Sequence, residues 1–295
     1  MDFVPDPGHF NSPSPPLGDG TLTVTIAGIT VCFVGLSAEL VEAARLRYGP
    51  FVSGDQPQHR VAVGRGEALY LDPAKSDYLR LEERPHPEGT VLLSSNFAAI
   101  RRPGGRRNEL KLSSPSNEKA ALQGIENCLR WIVADLAVQQ GGFVLHSSGL
   151  VREGRAHVFF GPSGAGKSTV AALSPDCLLL SDDLVLLLKQ GEGWRAATTP
   201  FRGTLAQEAK ERGVYPLAGL YRLVQRREAE LVPLSAAVSV GMVLACCPFV
   251  GDETVRRERL LPLVEDVARS VPVRELRFRK DPSFWDVIRR EDRNG

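Results

Sequence analysis

The sequence predicts an α/β protein in two parts: a smaller, strand-rich α+β region followed by a larger α/β domain. Three observations predict it. Strand-like alternation dominates the chain from Thr21 to Leu112. One long amphipathic helical pattern, Glu118 to Gln140, then interrupts it. Beyond that, a glycine-rich segment, Gly161-Pro162-Ser163-Gly164-Ala165-Gly166-Lys167-Ser168-Thr169, sits between an apolar strand pattern and a short helical one.

Taken in order, residues 1–20 are rich in Pro, Gly, Ser and Asp without periodicity, which predicts a flexible tail. Leu22, Val24 and Ile26 alternate with threonines, and Ala27-Gly28 turns the chain into a strand from Ile29 to Val34. Ser37 is placed to cap a helix running to about Tyr48, and short strands are expected around Arg60–Val63 and Val91–Leu93. Phe97–Arg102 and Arg107–Leu112 flank Pro103-Gly104-Gly105 as a hairpin. Arg101, Arg102, Arg106 and Arg107 at its tip read either as an anion patch or as a solvated turn of repelling charges. Asn117 or Ser116 caps the long helix, Leu122, Ile125, Leu129, Ile132, Val133 and Leu136 form its apolar face, and Gly141-Gly142 ends it. The expected divisions are therefore 1–20 (tail), 21–115 (α+β region) and 116–295 (α/β domain).

In the second part, Gly142–Val151 and Arg155–Phe160 read as strands joined by a turn at Arg152-Glu153-Gly154, so a hairpin feeds the glycine-rich segment. A helix from Lys167 to Leu173 follows and is stopped by Ser174-Pro175. Cys177–Leu180 is an apolar strand ending at Ser181-Asp182-Asp183. Leu184–Lys189 continues as strand, and Gly191-Glu192-Gly193 turns it towards Trp194–Ala197.

Composition sets limits. With 43% hydrophobic and 24% charged residues the chain has the make-up of a soluble globular protein. A net charge of +1 points to neither nucleic acid nor an anionic membrane surface. No apolar run approaches the ~20 residues that span a bilayer, and the first residues do not form a secretory signal. Cys32, Cys128, Cys177, Cys246 and Cys247 have neither zinc-site nor disulfide-framework spacing, and Cys246-Cys247 reads as core. A reducing cytoplasm is the expected location.

The chemistry starts with the glycine-rich segment, which fits G-x-x-x-x-G-K-[ST] at every fixed position. Such a loop turns backbone N–H groups towards phosphate oxygens, and the helix that follows adds its positive end. The candidate nucleotide-binding residues are Gly161, Ser163, Gly164, Ala165, Gly166, Lys167, Ser168 and Thr169. Lys167 reaches the β- and γ-phosphates and Ser168 ligates Mg²⁺. A nucleoside triphosphate is the expected ligand. Asp182 and Asp183 follow Lys167 by 15 and 16 residues. If their strand lies beside the loop strand, both carboxylates come next to the γ-phosphate, one to hold Mg²⁺ and one to accept a proton from an attacking hydroxyl. The bland alternative is a surface turn. His146 is either a structural histidine or a third member of the site.

The run His146-Ser147-Ser148-Gly149-Leu150-Val151, the hairpin, Gly161–Thr169 and Leu180-Ser181-Asp182-Asp183, in that order, resemble the C-terminal catalytic domain of HPr kinase/phosphorylase. More closely they resemble the HPr kinase-like proteins of bacterial gene neighbourhoods for modified peptides. Thr199-Pro200-Phe201-Arg202-Gly203, Tyr215-Pro216-Leu217, Leu276-Arg277-Phe278 and Phe284-Trp285 are similar to that group more loosely. The resemblance implies a P-loop nucleotide-binding domain of HPr kinase/phosphoenolpyruvate-carboxykinase type. It implies ATP-dependent phosphorylation of a seryl hydroxyl on a protein or peptide, such as a neighbouring gene product, with ATP and Mg²⁺ as cofactors. It makes Asp182 the general base, Asp183 the magnesium-side carboxylate and His146 the active-site histidine. Arg202 is either a phosphate or substrate contact or half of a structural ion pair. A homo-oligomer is also implied, though no surface in the sequence marks an interface. The Pro-Gly-Arg-Asn-type segment of the bifunctional enzymes has no match after Asp183, so neither dephosphorylation nor HPr as substrate carries over. A small-molecule kinase and a non-catalytic ATP-binding sensor are the alternative readings.

Overall fold

The computed structural model describes residues 10, 14–66, 70–71, 81–105, 107–113, 117–203, 211–249 and 256–292. It is a mixed α/β protein with two sheets. The chain divides into two compact units, Met1–Val133 and Ala134–Gly295.

The first unit holds a seven-stranded sheet in the order β1-β2-β3-β7-β6-β5-β4. Its strands are β1 (Gly20–Ile26), β2 (Ile29–Leu36), β3 (His59–Arg65), β4 (Glu82–His86), β5 (Gly89–Leu93), β6 (Phe97–Arg101) and β7 (Asn108–Leu112). α1 (Ala38–Tyr48) starts where expected, with the Ser37 hydroxyl accepting the Leu40 N–H. β4 is not legible in the sequence, because Glu82-Glu83-Arg84-Pro85-His86 neither alternates nor favours strand. It is the sheet's outer strand, where proline and charge are tolerated.

Two expectations change here. Residues 14–20 belong to no flexible tail: Pro15 O accepts the Arg65 N–H, Leu17 N–H donates to Gly35 O, and Pro16 bridges to Gly64. Proline-rich composition removes donors but leaves carbonyls, and these cap the neighbouring strands. At the hairpin tip, Arg102 is 13% exposed and paired with Glu88 and Glu109, and Arg101 lies over the Trp131 ring at 4.6 Å. These two arginines thus make neither an anion patch nor a set of repelling charges. Arg106 and Ser116 lie outside the described residues.

α2 (Glu118–Gln139) is capped by Asn117, whose carboxamide oxygen accepts the Ala120 N–H at 2.9 Å. Of its predicted apolar face only Leu122 is not fully buried, and Trp131, Ala134 and Ala137 on other faces are buried too.

In the second unit, β8 (Gly142–Arg152) and β9 (Arg155–Phe160) form the expected hairpin. Glu153 and Gly154 at its tip both have positive φ (52° and 74°), the two-residue turn that matches strand twist. α3 (Lys167–Ala172) follows, then β10 (Leu178–Ser181), β11 (Leu184–Gln190) and β12 (Gly193–Ala197). Beyond Ala197 the sequence pattern assigns no elements. The structure has β13 (Val214–Gln225), β14 (Glu230–Pro233), α4 (Ala236–Leu244), α5 (Leu261–Ser270), β15 (Val273–Phe278) and α6 (Phe284–Asp292).

Two long strands organise this unit. The first half of β8 pairs with β11 and its second half with β9. β13 pairs first with β12, then with β9 and β15. Since β11 also pairs with β12, the ladder β8-β9-β13-β12-β11 returns to β8. β9, β13 and β15 run parallel, so their carboxyl ends share one edge. One core joins Phe143, Leu145, Phe160, Val185, Leu187 and Leu220 to Val243 of α4 and Val264 and Val267 of α5. A second core joins Phe159, Val170, Tyr221, Leu223 and Phe278 to Phe284, Trp285 and Ile288 of α6. Each fully buried aliphatic or aromatic side chain contributes about 1.5–3 kcal/mol before chain entropy is subtracted.

Candidate functional site

The glycine-rich loop leaves the carboxyl end of β9. Gly161 is buried, Pro162, Ser163 and Gly164 are exposed, and Ala165 to Thr169 are half-buried. Ala165 N–H donates to Pro162 O at 3.1 Å, which closes the loop on itself. Lys167 folds back over it, and its ammonium donates to Gly161 O at 2.9 Å and Pro162 O at 3.3 Å. Burial lowers the Lys167 pKa, and attraction to Cys246 and Asp183 opposes that shift. α3 is six residues long, one fewer than the sequence pattern suggests.

Neighbouring strands fix the shape. Gly166 sits at φ +109°, and a Cβ there would come within 2.7 Å of the Phe278 ring, so glycine is required twice over. Gln225, paired with Phe278 across β13 and β15, donates from its carboxamide to Gly164 O at 2.8 Å.

The acidic pair stands differently from the sequence expectation. Its strand does not lie beside the loop strand: β10 pairs with β8, which separates it from β9. Ser181 faces Gly149 and Leu184 faces His146, so Asp182 and Asp183 form a bend inside one continuous ladder against β8. Ser147 N–H donates to Asp183 O at 2.9 Å, and Ser147 also pairs with Phe160, the last residue of β9. Asp183 is thus two strand spacings, ~10 Å across the sheet, from the end of β9 where the loop begins. Asp183 and Lys167 attract each other electrostatically.

The bend is held by hydroxyls. Ser181 Oγ accepts the N–H groups of Asp183 and Leu184, both at 3.1 Å, and donates to Phe201 O at 2.9 Å. Thr199 Oγ1 donates to Leu184 O at 2.6 Å. These bonds seat the Thr199–Gly203 segment across the bend. Asp182 is 5% exposed, and its Oδ1 accepts the Gly203 N–H at 2.7 Å. A Cβ on Gly203 would meet Asp182 Oδ2 at 2.8 Å, so glycine lets the amide approach. Arg202 is half-buried.

His146 is the exposed residue in an otherwise buried stretch of β8. By register it stands diagonal to Asp182, two positions off direct opposition on the adjoining strand. Its N–H points to the side that β9 has vacated after Phe160 and donates to Cys246 O at 2.8 Å. Cys246 therefore lies beside Gly161, half-buried and packed against the edge of the core, while Cys247 is buried within it. Burial pushes the Cys246 thiol pKa up, against the pull of Lys167, the Gly161 N–H and Arg222. The structure thus gathers Gly161, Lys167, Asp183 and the His146 strand, and adds Cys246, Gln225, Ser181, Thr199 and Gly203. Among the described residues no three His, Cys, Asp or Glu side chains converge as a metal cage.

The family model described as SynChlorMet cassette protein ScmC matches residues 111–291, which contain all of these groups. The chain belongs to the ScmC family. No curated protein matches it. Among solved structures, it is similar to the Hpr(Ser) kinase/phosphatase from Coxiella burnetii at 11% identity and a TM-score of 0.28, over 52% of this chain and 99% of that one. In this ScmC-family chain no helix among the described residues is long and apolar enough to cross a membrane.

Proposed function

We propose that the protein is an ATP-dependent kinase that transfers the γ-phosphate to a hydroxyl, that of a serine of a protein or peptide. The observation that carries this reading is the arrangement of three parts. The loop with Lys167, the bend with Asp182 and Asp183, and His146 occupy adjoining positions on three neighbouring strands. The same three parts, in the same order, carry the resemblance to HPr kinase-like proteins.

In this reading, the backbone N–H groups of Ser163, Gly164, Gly166, Lys167 and Ser168 hold the phosphates and Lys167 swings from its loop carbonyls to the β- and γ-phosphates. Ser168 and Asp183 would hold Mg²⁺, which offsets phosphate charge when bound. Asp182 accepts the acceptor's hydroxyl proton as the oxygen bonds to the γ-phosphorus and the bond to ADP breaks. His146, diagonal to Asp182 and exposed, orients the acceptor or tunes Asp182.

The test is incubation with γ-labelled ATP, Mg²⁺ and the products of neighbouring genes, including precursor peptides. The expected result is label on a serine. Loss of at least a hundredfold in Asp182→Ala, and weaker Mg²⁺–ATP binding in Asp183→Asn, would fit the assigned roles. Transfer only to a metabolite would make it a small-molecule kinase. ATP binding without any transfer would make it a sensor.

A further inference from the structure

We propose that Gln225 is a positioning residue that holds the glycine-rich loop in its phosphate-binding shape before nucleotide arrives. This rests on the reading of the loop as a triphosphate site. Gln225 stands 61 positions from the residue it touches, at the carboxyl end of β13, the strand parallel to β9. Its carboxamide N–H donates to Gly164 O at 2.8 Å.

The geometry gives that bond a purpose. The peptide joining Gly164 to Ala165 is bound at both ends: its carbonyl by Gln225 and its N–H by Pro162 O at 3.1 Å. Gly164 has φ +78° and Gly166 has φ +109°, so this stretch of backbone is intrinsically free to rotate. A loop carbonyl that turned inward would present negative charge to a phosphate. Gln225 ties that carbonyl to the β13 side. Phe278, the partner of Gln225 on β15, packs under Gly166 and blocks the loop from sinking the other way. Two paired residues on adjacent strands therefore grip the loop at two glycines. Ordering a loop in advance strengthens binding by removing the entropy cost of ordering it on contact.

Both Gln225 and Gly164 are exposed, so the bond adds little to global stability. That separates positioning from general structure in the experiment. Binding of a fluorescent ATP analogue with Mg²⁺, which needs no acceptor, is measured for wild type, Gln225→Met and Gln225→Glu, with melting midpoints recorded without nucleotide. Gln225→Met keeps the side-chain length and removes the donor. It is expected to weaken binding about fivefold, as the loss of one net hydrogen bond does, with the midpoint within ~1 °C of wild type. Gln225→Glu, which sets a carboxylate against the carbonyl, is expected to weaken it further. Wild-type affinity in Gln225→Met overturns the inference and leaves the kinase reading intact. A midpoint lowered by several degrees along with the affinity also overturns it, as a general structural role. A wild type that binds no analogue overturns both.

Discussion

Cys246 reports on the loop from a position no phosphate-loop pattern contains. Its thiol is half-buried between the Gly161 N–H, Lys167 and Arg222, and its carbonyl holds the His146 N–H. A triphosphate seated on the loop would cover that thiol. Iodoacetamide labelling at pH 8.5, read by peptide mass spectrometry, is expected to be slowed at least tenfold by Mg²⁺–ATP at Cys246. Cys177 is also half-buried but neighbours Arg152 and Asp176 at the far end of α3, and should label at an unchanged rate. Equal rates at Cys246 with and without saturating nucleotide would place the triphosphate elsewhere. At this scale the sequence was legible where spacing is local. The loop, Lys167, Ser168 and the Asp pair lie within 23 positions and were read directly. Cys246 and Gln225 were not, because they reach the loop through a helix end and a strand end more than 55 positions away, and apolar flanks made Cys246 look like core.

Elements were legible where alternation and turn residues agree, and illegible where pairing order decides the outcome. The β8–β9 hairpin follows from two apolar runs and a Glu153-Gly154 turn. The neighbour of β10 does not follow from sequence: a strand after the loop helix can sit beside β9 or beyond β8, and here the continuous β10–β11 ladder takes β8. The consequence is that the acidic bend lies one strand further from the loop than local reasoning predicts. Between elements, Asp266 of α5 fastens the helix to two strands. It accepts from Lys189 of β11 at 2.7 Å and from Trp194 Nε1 of β12 at 2.9 Å, and pairs with Arg269 on its own helix. The Lys189 hydrogen bond, with help from Trp194 and Arg269, holds the Asp266 carboxyl down at about 2. Asp266→Ala leaves the indole N–H without this acceptor and is expected to cost about 1 kcal/mol, a drop of about 2–4 °C in melting midpoint. Lys189→Ala alone should cost less, because the part-exposed ion pair is worth little and Asp266 keeps its bonds to Trp194 and Arg269. The reverse order in thermal melts would show that the ion pair, not the indole bond, holds the helix.

On the scale of the whole Ala134–Gly295 unit, one buried histidine contributes to the response to mild acid. His157 on β9 is buried beside Tyr221 of β13, with its Nδ1 3.3 Å from the phenol oxygen, and under Trp285 of α6 at 5.2 Å between ring centroids. Burial lowers its pKa to about 4, and the charges of Arg155 and Arg152 push the same way. The folded protein therefore keeps His157 neutral at pH values where the unfolded chain, near 6.5, takes up a proton. Between those two values the unfolded state binds more protons, so stability falls as pH falls. The loss from this one group is expected to reach about 2 kcal/mol between pH 7 and pH 5 and about 3 kcal/mol by pH 4. Three elements meet at this ring, so the loss is felt as unfolding of the unit's second core, not as fraying of one strand. Urea unfolding at pH 7 and pH 5 measures it. His157→Phe cannot titrate, and whatever its absolute stability, its difference between the two pH values should be smaller than wild type's by about 2 kcal/mol. Equal differences in the two proteins would mean that the imidazole takes up its proton inside the fold, and that the packing of β9, β13 and α6 opens to water well above pH 5.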